Sequence, residues 1–112
     1  MIIKKALRKK ELNTKNWKIW DYPISKDIGI AVQEISGRAP AAGATINKVC
    51  KEIVYVIRGS GHIFINGRKS AISEGDAFVI SPEERSFITG KMRIITITSP
   101  DWYPRQCEKV EE

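Results

Sequence analysis

The chain has 112 residues with 42% hydrophobic and 29% charged residues and a net charge of +6, which excludes general disorder and suits one domain. No apolar run approaches about 18 residues and no apolar segment follows the first lysines, so we expect neither a membrane span nor a signal peptide. We therefore expect a cytoplasmic protein. Cys50 and Cys107 lack the spacing of a zinc motif and are expected to be free thiols.

The positive charge is concentrated at the N-terminus. Residues 1–18 hold seven lysines and arginines but a single acidic residue, Glu11. One interpretation is an arm that binds nucleic acid or another acidic partner. The other is a solvated strand or helix whose lysines keep a sheet edge soluble. No helix-turn-helix, zinc finger or aromatic stacking motif accompanies the charge, so we favour the second interpretation and expect no nucleic-acid partner.

The first elements are short. Residues 1–12 are ambiguous, because Ile3 and Leu7 have helical spacing whereas the lysine pairs also fit an edge strand. A loop is predicted at 13–16. Trp17 and Trp20 are expected to pack over an open end or flank of a small barrel, with ligand stacking as the alternative.

Strands are predicted at 28–35 and 44–48, on either side of a loop rich in small residues. The segment 52–67 then contains two β-rich runs around Gly59-Ser60-Gly61, which we interpret as a hairpin turn, and Asn66-Gly67 begins a second reversal. Together these features indicate an antiparallel meander.

The C-terminal half continues the pattern. Ser86–Thr89 and Met92–Thr98 are expected to pair across Gly90-Lys91, and the alternation of Ile95 and Ile97 with threonines suits a strand with one wet face. Many short strands with regular turn signals predict an all-β fold, a small antiparallel β-barrel or jelly roll. We expect one domain over 1–112, with a basic segment at 1–20, a barrel core at 43–98 and a C-terminal tail at 99–112 that frays at its acidic end.

A carboxylate and a series of turns carry a family resemblance. Glu52 is followed by an apolar strand that ends in a glycine, and Gly75-Asp76 opens a second apolar strand that stops at Pro82. In these features residues 40–86 resemble the cupin superfamily, although the family's opening glycine would fall at Pro40, with Gly43 only nearby. The resemblance implies a cupin barrel and a dimeric assembly.

The chain departs from the family's metal-binding motif. Cupin metal sites resemble three imidazoles and one carboxylate around a divalent ion, yet the three histidine positions are Ile46, Lys48 and Ser86 here. The only histidine, His62, lies on another strand and is expected to point out of the barrel. We therefore expect no metal and no cofactor.

Two arrangements of the remaining charges stay open. Ile46, Lys48 and Glu52 share parity, so Lys48 and Glu52 could form an ion pair inside the barrel, with Ser86 adding a hydroxyl. Alternatively, Lys48 extends out of the barrel mouth and Glu52 accepts a backbone hydrogen bond. A bend near Val49–Lys51 would separate the two residues.

We interpret the chain as a metal-free cupin-like barrel that binds a small organic molecule or an anion in its lumen. The expected pocket consists of Ile46, Lys48, Glu52 and Ser86. We also expect a homodimer, because outward apolar residues such as Phe64 and Tyr55 would be covered by a second copy. The alternatives are an isomerase, lyase or dioxygenase with an atypical site, and an interaction protein that uses its basic N-terminus.

Overall fold

The computed structural model describes residues 1–112, of which 62% lie in β-strands and almost none in helices, and this confirms the all-β prediction. None of its helical segments is long and apolar enough to cross a membrane. Single 3₁₀ turns occur at Lys5–Leu7 and Pro104–Gln106. The nine strands are β1 Lys9–Asn13, β2 Trp17–Tyr22, β3 Gly29–Ala39, β4 Ala44–Asn47, β5 Lys51–Ile65, β6 Arg68–Ser73, β7 Ala77–Ile80, β8 Arg85–Ser99 and β9 Cys107–Val110.

The strands form one antiparallel sheet that curls into a barrel around β8. This strand pairs with β3 along one edge and with β5 along the other, and both pairings run for most of its length. One wall of the barrel has the strand order β2-β3-β8-β5-β7, and the other has the order β9-β4-β8-β5-β6. The two long strands β5 and β8 therefore belong to both walls and must bend between them.

Glycines create this bend, and the predicted turn at Gly59-Ser60-Gly61 is wrong. β5 continues through these residues without interruption, and β8 likewise continues through Gly90, which pairs with Gly61. A Cβ atom on Gly61 would collide with the carbonyl oxygen of Thr89. These glycines thus permit two bent backbones to approach closely, whereas the expected hairpin at Asn66-Gly67 is present, with positive φ at both residues.

Both ends of the chain are strands in the sheet. β1 is an exposed edge strand, in agreement with the edge-strand interpretation of the basic N-terminus. The expected frayed acidic end is instead β9, which pairs with β4 from Ala44 to Asn47. The C-terminal residues can therefore contribute side chains to the barrel interior.

The apolar core occupies only part of that interior. Ile35, Val54 and Val56 are almost completely buried, and seven further buried residues complete the cluster. Several members of this cluster also line an internal cavity. The core thus forms one part of the wall of an open lumen, and polar side chains form the rest.

Candidate functional site

The barrel encloses a cavity of about 400 Å³. This volume lies within the roughly 300–1,000 Å³ range of pockets that hold small molecules. Its wall combines aromatic rings with hydrogen-bonding groups. The aromatic residues are Trp17, Phe78, Phe87 and Trp102, and the polar and charged ones include Glu11, Asp21, Gln33, Thr45, Asn47, Glu52, Ser86, Thr96, Thr98 and Lys109.

Glu52 is the buried carboxyl group of this wall. It lies two residues before Val54 on β5, so strand alternation directs both side chains inward. Its Oε1 accepts a hydrogen bond of 3.0 Å from Asn47 Nδ2, while its second oxygen has no protein partner. Burial raises the pKa of Glu52, and the single hydrogen bond from Asn47 only partly opposes that rise.

A network from the C-terminal segment holds Asn47 in place. Asn47 Oδ1 accepts hydrogen bonds from Gln106 Nε2 at 2.9 Å and from Trp102 Nε1 at 3.3 Å. Gln106 Oε1 in turn accepts the backbone N–H groups of Val49 and Cys50, at 3.2 and 3.0 Å. With its acceptor used in this way, Asn47 can offer only its amide N–H groups to Glu52, which fixes the orientation of the amide.

A second chain of hydrogen bonds also lies in the lumen wall. Trp17 Nε1 donates to Gln33 Oε1 at 2.8 Å, and Gln33 Nε2 donates to Thr96 Oγ1 at 3.2 Å. Gln33 and Thr96 are both buried. The two lumen-lining tryptophans are therefore each anchored through the indole N–H, which limits the orientations of their rings.

The lumen wall is acidic. Glu11, Asp21 and Glu52 line it, and Lys109 is its only cationic residue. The pKa of Asp21 is raised, first by burial and then by the neighbouring carboxylates of Asp101 and Glu11. Glu11 also forms a salt bridge of 3.3 Å with Lys9. An anion that entered the cavity would meet more negative than positive charge.

Both cysteines are free, as expected from the sequence. Cys50 is fully buried, and Cys107 lines the lumen. The pKa of each thiol is raised, mainly by burial and further by the charge of Glu52. Neither environment favours the thiolate, so neither cysteine has the character of an activated nucleophile.

The structure brings together only two of the four residues proposed for the pocket. Glu52 and Ser86 line the lumen, but Ile46 and Lys48 do not. The Lys48 ammonium instead contacts Glu108 at 2.9 Å, and both side chains are about half exposed. The proposed Lys48–Glu52 ion pair is therefore wrong. Lys48 extends outward, as the alternative expected, but Glu52 accepts its hydrogen bond from the Asn47 side chain and not from a backbone amide.

A break between β4 and β5 explains this error. The three residues 48–50 belong to neither strand, so the alternation of β4 cannot be continued into β5. Thr45 and Asn47 consequently point inward with Glu52, whereas Ile46 lies outside the lumen. Thr45 and Asn47, the inward neighbours of Glu52, are thus residues that strict alternation would place on the outer side of the barrel.

The donor set near Glu52 does not fit the metal that the fold family implies. No group of three or more histidine, cysteine, aspartate or glutamate side chains is placed to hold a metal ion. The closest polar partner, Asn47, presents N–H groups rather than its oxygen to the carboxylate. A cation at Glu52 would therefore meet the N–H donor of Asn47, whereas the metal sites that the resemblance implies have imidazole ligands.

Sequence reasoning missed Asn47, Trp102 and Gln106. Asn47 was missed because the alternation of β4 was continued into β5, which assigned Asn47 to the outer side of the barrel. Trp102 and Gln106 were missed because they lie in a segment that was expected to be a tail. The only sequence signal for a strand at 107–110 is a four-residue segment that ends in Val110, which is too short to predict a strand.

Comparisons with known proteins identify the fold. No family model and no curated relative matches the chain. Streptomyces PAC13, described as a unique nucleoside dehydratase, superposes with a TM-score of 0.89 at 13% identity, covering 99% of this chain and 91% of its own. A tyrosine-to-phenylalanine variant of PAC13 with uridine has the same TM-score and identity, over 99% of this chain and 90% of that one.

More distant structures give the same result. KdgF from Halomonas sp. has a TM-score of 0.75 at 18% identity and covers 91% of this chain and 94% of its own. An RmlC-like cupin from Shewanella frigidimarina has a TM-score of 0.72 at 15% identity, with 86% of each chain covered. At these identities the likeness concerns the fold alone. The chain has the cupin fold, as its resemblance to that superfamily indicated.

Proposed function

We propose that the lumen binds a small ring-containing organic molecule that is uncharged or positively charged. The observation that carries this proposal is a cavity of about 400 Å³ whose wall holds a carboxyl group with one unpartnered oxygen and a pKa raised by burial. A ligand N–H or O–H group would supply the missing partner of Glu52. An anion, one of the two ligand classes expected from the sequence, is disfavoured by the acidic wall.

Aromatic side chains favour a planar ligand. Trp17 and Trp102 line the lumen and are held through their indole N–H groups. Large aromatic surfaces with fixed orientation suit stacking on a ring or contact with a cation. The fold shared with PAC13, whose structures include complexes with uridine, makes a nucleoside the rational first probe. We propose this lumen as metal-free, because its donor set does not fit the cupin metal.

Three matched probes test the proposal: uridine, 5′-amino-5′-deoxyuridine and uridine 5′-monophosphate. They share a base and a sugar but carry neutral, positive and negative 5′ groups. Tryptophan fluorescence should report binding of the first two, and the monophosphate should bind at least about tenfold more weakly because like charges repel. Glu52→Gln should reduce this discrimination, whereas the surface variant Lys48→Ala should leave all three titrations unchanged.

Two results would contradict the proposal. If the monophosphate binds as tightly as uridine, the assignment of charge preference is wrong. If none of the three probes changes the fluorescence at millimolar concentration, the lumen is not a site for ligands of nucleoside type.

A second candidate function is proton transfer by Glu52. Its raised pKa and free oxygen suit a group that alternately accepts and donates a proton. The likeness to a nucleoside dehydratase adds a chemical context, since loss of water needs both a base and an acid. Wild type and Glu52→Gln would be incubated in D₂O with uridine 5′-aldehyde, whose carbonyl acidifies the C4′–H bond and which has the 3′-hydroxyl as a β leaving group. Mass spectrometry would follow deuterium uptake and loss of water. Turnover in wild type alone supports this candidate, and equal behaviour of the two proteins rejects it.

A further inference from the structure

The outward side of the central strands carries positive charge that the lumen function does not use. Ile63 of β5 and Ile88 of β8 line the lumen, and Met92 of β8 is buried. Strand alternation therefore directs the neighbours of these residues to the outside of the barrel. The register of β3, β8, β5 and β6 arranges the outward residues in cross-strand rows.

Four adjacent rows form one surface, which we call the basic face. Its rows are Glu34, Arg93 and Arg58; Ser36, Lys91, Ser60 and Ser73; Arg38, Thr89, His62 and Ala71; and Phe87, Phe64 and Lys69. These residues include five lysines and arginines but a single carboxylate, that of Glu34. The steps along β8 from Arg93 to Phe87 span roughly 20 Å, and the distance across the strands from β3 to β6 is roughly 14 Å.

The fold separates charges that the sequence mixes. Beyond residue 18 the chain is neutral, with twelve basic and twelve acidic residues. Asp21 and Glu52 line the lumen, whereas five of the basic residues lie on the basic face. The face therefore has a positive potential that a count of charges along the chain does not predict.

Only two of the five cations are neutralised by a carboxylate. Arg93 Nη1 lies 3.3 Å from Glu34 Oε1, and Arg38 Nη2 lies 3.2 Å from Glu112 Oε2. The others are exposed and form no salt bridge; they are Arg58, Lys69 and Lys91. Arg58 also lies directly opposite Arg93, and like charges in directly opposed positions destabilise a sheet. A bound polyanion would remove that repulsion.

A polar cleft of about 340 Å³ opens within the basic face, where β5 pairs with β6. Its lining includes the hydroxyl groups of Ser60 and Ser73 and the imidazole of His62. Lys91 is the cross-strand neighbour of Ser60, so an ammonium group lies beside the cleft. Asp76 limits the cleft at one edge, where its Oδ2 accepts hydrogen bonds from Ser73 N at 2.8 Å and Ser73 Oγ at 3.4 Å. Hydroxyl, imidazole and ammonium groups are the donors that bind phosphate oxygens.

Aromatic rings hold two of the cations in place. The rings of Phe64 and Phe87 stack with their centroids 4.2 Å apart. The Arg38 guanidinium lies 3.9 Å from the centroid of the Phe87 ring, and the Lys69 ammonium lies 5.8 Å from that of Phe64. Because each ring is already stacked, neither is free to stack on a base. The face therefore suits contact with a phosphate backbone and carries no sequence preference.

We infer that the basic face binds the phosphate backbone of a single-stranded nucleic acid. The face is too large for one phosphate group, and small β-barrels bind single strands of about four nucleotides or more in grooves of positive charge. The chain has only 3₁₀ turns, so no helix projects from the face to enter the major groove of a duplex. This surface lies outside the lumen, and the inference does not depend on the ligand proposed there. The charge pattern along the chain indicated no such partner because the cations meet only in the sheet.

Fluorescence anisotropy of a labelled oligodeoxyadenylate of about twelve nucleotides tests the inference. The full chain should bind it with a dissociation constant in the micromolar range at about 50 mM salt. The three exposed cations without a salt bridge would each neutralise one phosphate, which gives a slope of about −2 in log K against log salt concentration. Raising the salt to about 200 mM should therefore weaken binding about 20-fold.

Charge variants locate the binding surface. Lys91→Glu should weaken binding at low salt by about tenfold or more, and Arg58→Ala should reduce the salt slope by about 0.7. Lys4→Glu is the matched control, because it makes the same charge change at an exposed residue that precedes β1 and lies outside the basic face. It should bind within about twofold of wild type. All three side chains are exposed, so circular dichroism should be unchanged.

Three results would overturn the inference. One is no change in anisotropy at about 100 µM protein and low salt. Another is an equal loss of binding in Lys4→Glu and Lys91→Glu, which would assign the binding to the basic N-terminal segment. The third is equal affinity for polyglutamate of the same charge, which would mean that the face does not recognise phosphate.

Discussion

Where β5 and β8 pair near residues 52 and 98, the inner side of the barrel wall is polar and the outer side is apolar. An antiparallel sheet with one covered side ordinarily buries its apolar residues and exposes its polar ones. On β8, however, Thr96 and Thr98 are buried at 4% and 5% exposure, whereas Ile97 between them is 38% exposed. On β5, Glu52 faces the lumen and Ile53 faces outward.

This reversal has a cost on each side of the wall. Polar groups on the inside reduce the apolar burial that would stabilise the barrel, and they need partners there. Apolar groups on the outside lower solubility unless they are covered. Both sides are therefore less favourable in an isolated, empty chain than the ordinary arrangement would be.

The largest expected effect comes from the bend that separates the two barrel walls. Gly61→Ala would place a methyl group against the carbonyl oxygen of Thr89, a backbone atom that cannot move aside. We expect a loss of about 3 kcal/mol or more in the free energy of unfolding, measured by urea denaturation. Gly75→Ala is the comparison: nothing lies within 4 Å of its Cβ position, so its loss comes from its positive φ of 90° alone and should be about 1–2 kcal/mol. Equal losses in the two variants would show that close approach is not what requires glycine at 61.

A smaller loss is expected when the support of the inner surface is removed. Gln106→Ala leaves the N–H groups of Val49 and Cys50 without their acceptor, and that of Cys50 is buried. An unsatisfied buried group costs about 1–3 kcal/mol, so we expect a loss of about that size. The neighbouring exposed residue provides the control, since Arg105→Ala should change stability by less than about 0.5 kcal/mol. A loss as small as that of the control would mean that water replaces Gln106.

Local patterns in the sequence were sufficient for the fold but not for the site. Apolar runs, the Asn66-Gly67 turn and the Gly75-Asp76 turn lie within single elements, so periodicity and turn chemistry describe them. The glycines at 59, 61 and 90 were misinterpreted because a turn and a bend between paired strands have the same composition. Only the register between β5 and β8 distinguishes the two.

The site depends on relations that the sequence does not contain. Lys48 and Glu52 share parity along the chain, but a three-residue break between β4 and β5 cancels that relation. Gln106 contacts residues 49 and 50 although it is more than fifty positions away. Likewise, the threonines of β8 looked like the wet side of a strand. They are indeed polar, but they face the lumen.

Substitution of two threonines on the inner surface should change the free energy of unfolding by different amounts, both smaller than the losses above. Thr96→Val removes the acceptor of Gln33 Nε2 and leaves a buried amide donor unpaired, which should cost about 1–2 kcal/mol. Thr98 has the same orientation and burial but no side-chain hydrogen bond to another side chain, so Thr98→Val is expected to be nearly neutral. Thermal unfolding of the two variants measures the difference. Identical melting temperatures would mean that the Trp17–Gln33–Thr96 chain does not stabilise the lumen.

The smallest change, at least in acid, is expected for Glu52→Gln. The substitution keeps the shape of the side chain and an oxygen that can accept from Asn47. Burial raises the pKa of Glu52 above its ordinary value of 4.5, so between the unfolded-state and folded-state pKa values the folded protein binds more protons. Stability of wild type must therefore fall as pH rises through that interval, whereas the glutamine variant lacks this contribution.

Melting temperatures of wild type and Glu52→Gln should thus converge near pH 4 and separate toward about pH 8, with the variant more stable at the higher pH. Other groups titrate in both proteins, so the difference isolates Glu52. A difference that does not change with pH would mean that the carboxyl group is solvated in the folded state. The Glu52 carboxyl group would then need no ligand partner, and only the apolar outer side of the wall would remain unfavourable in the isolated chain.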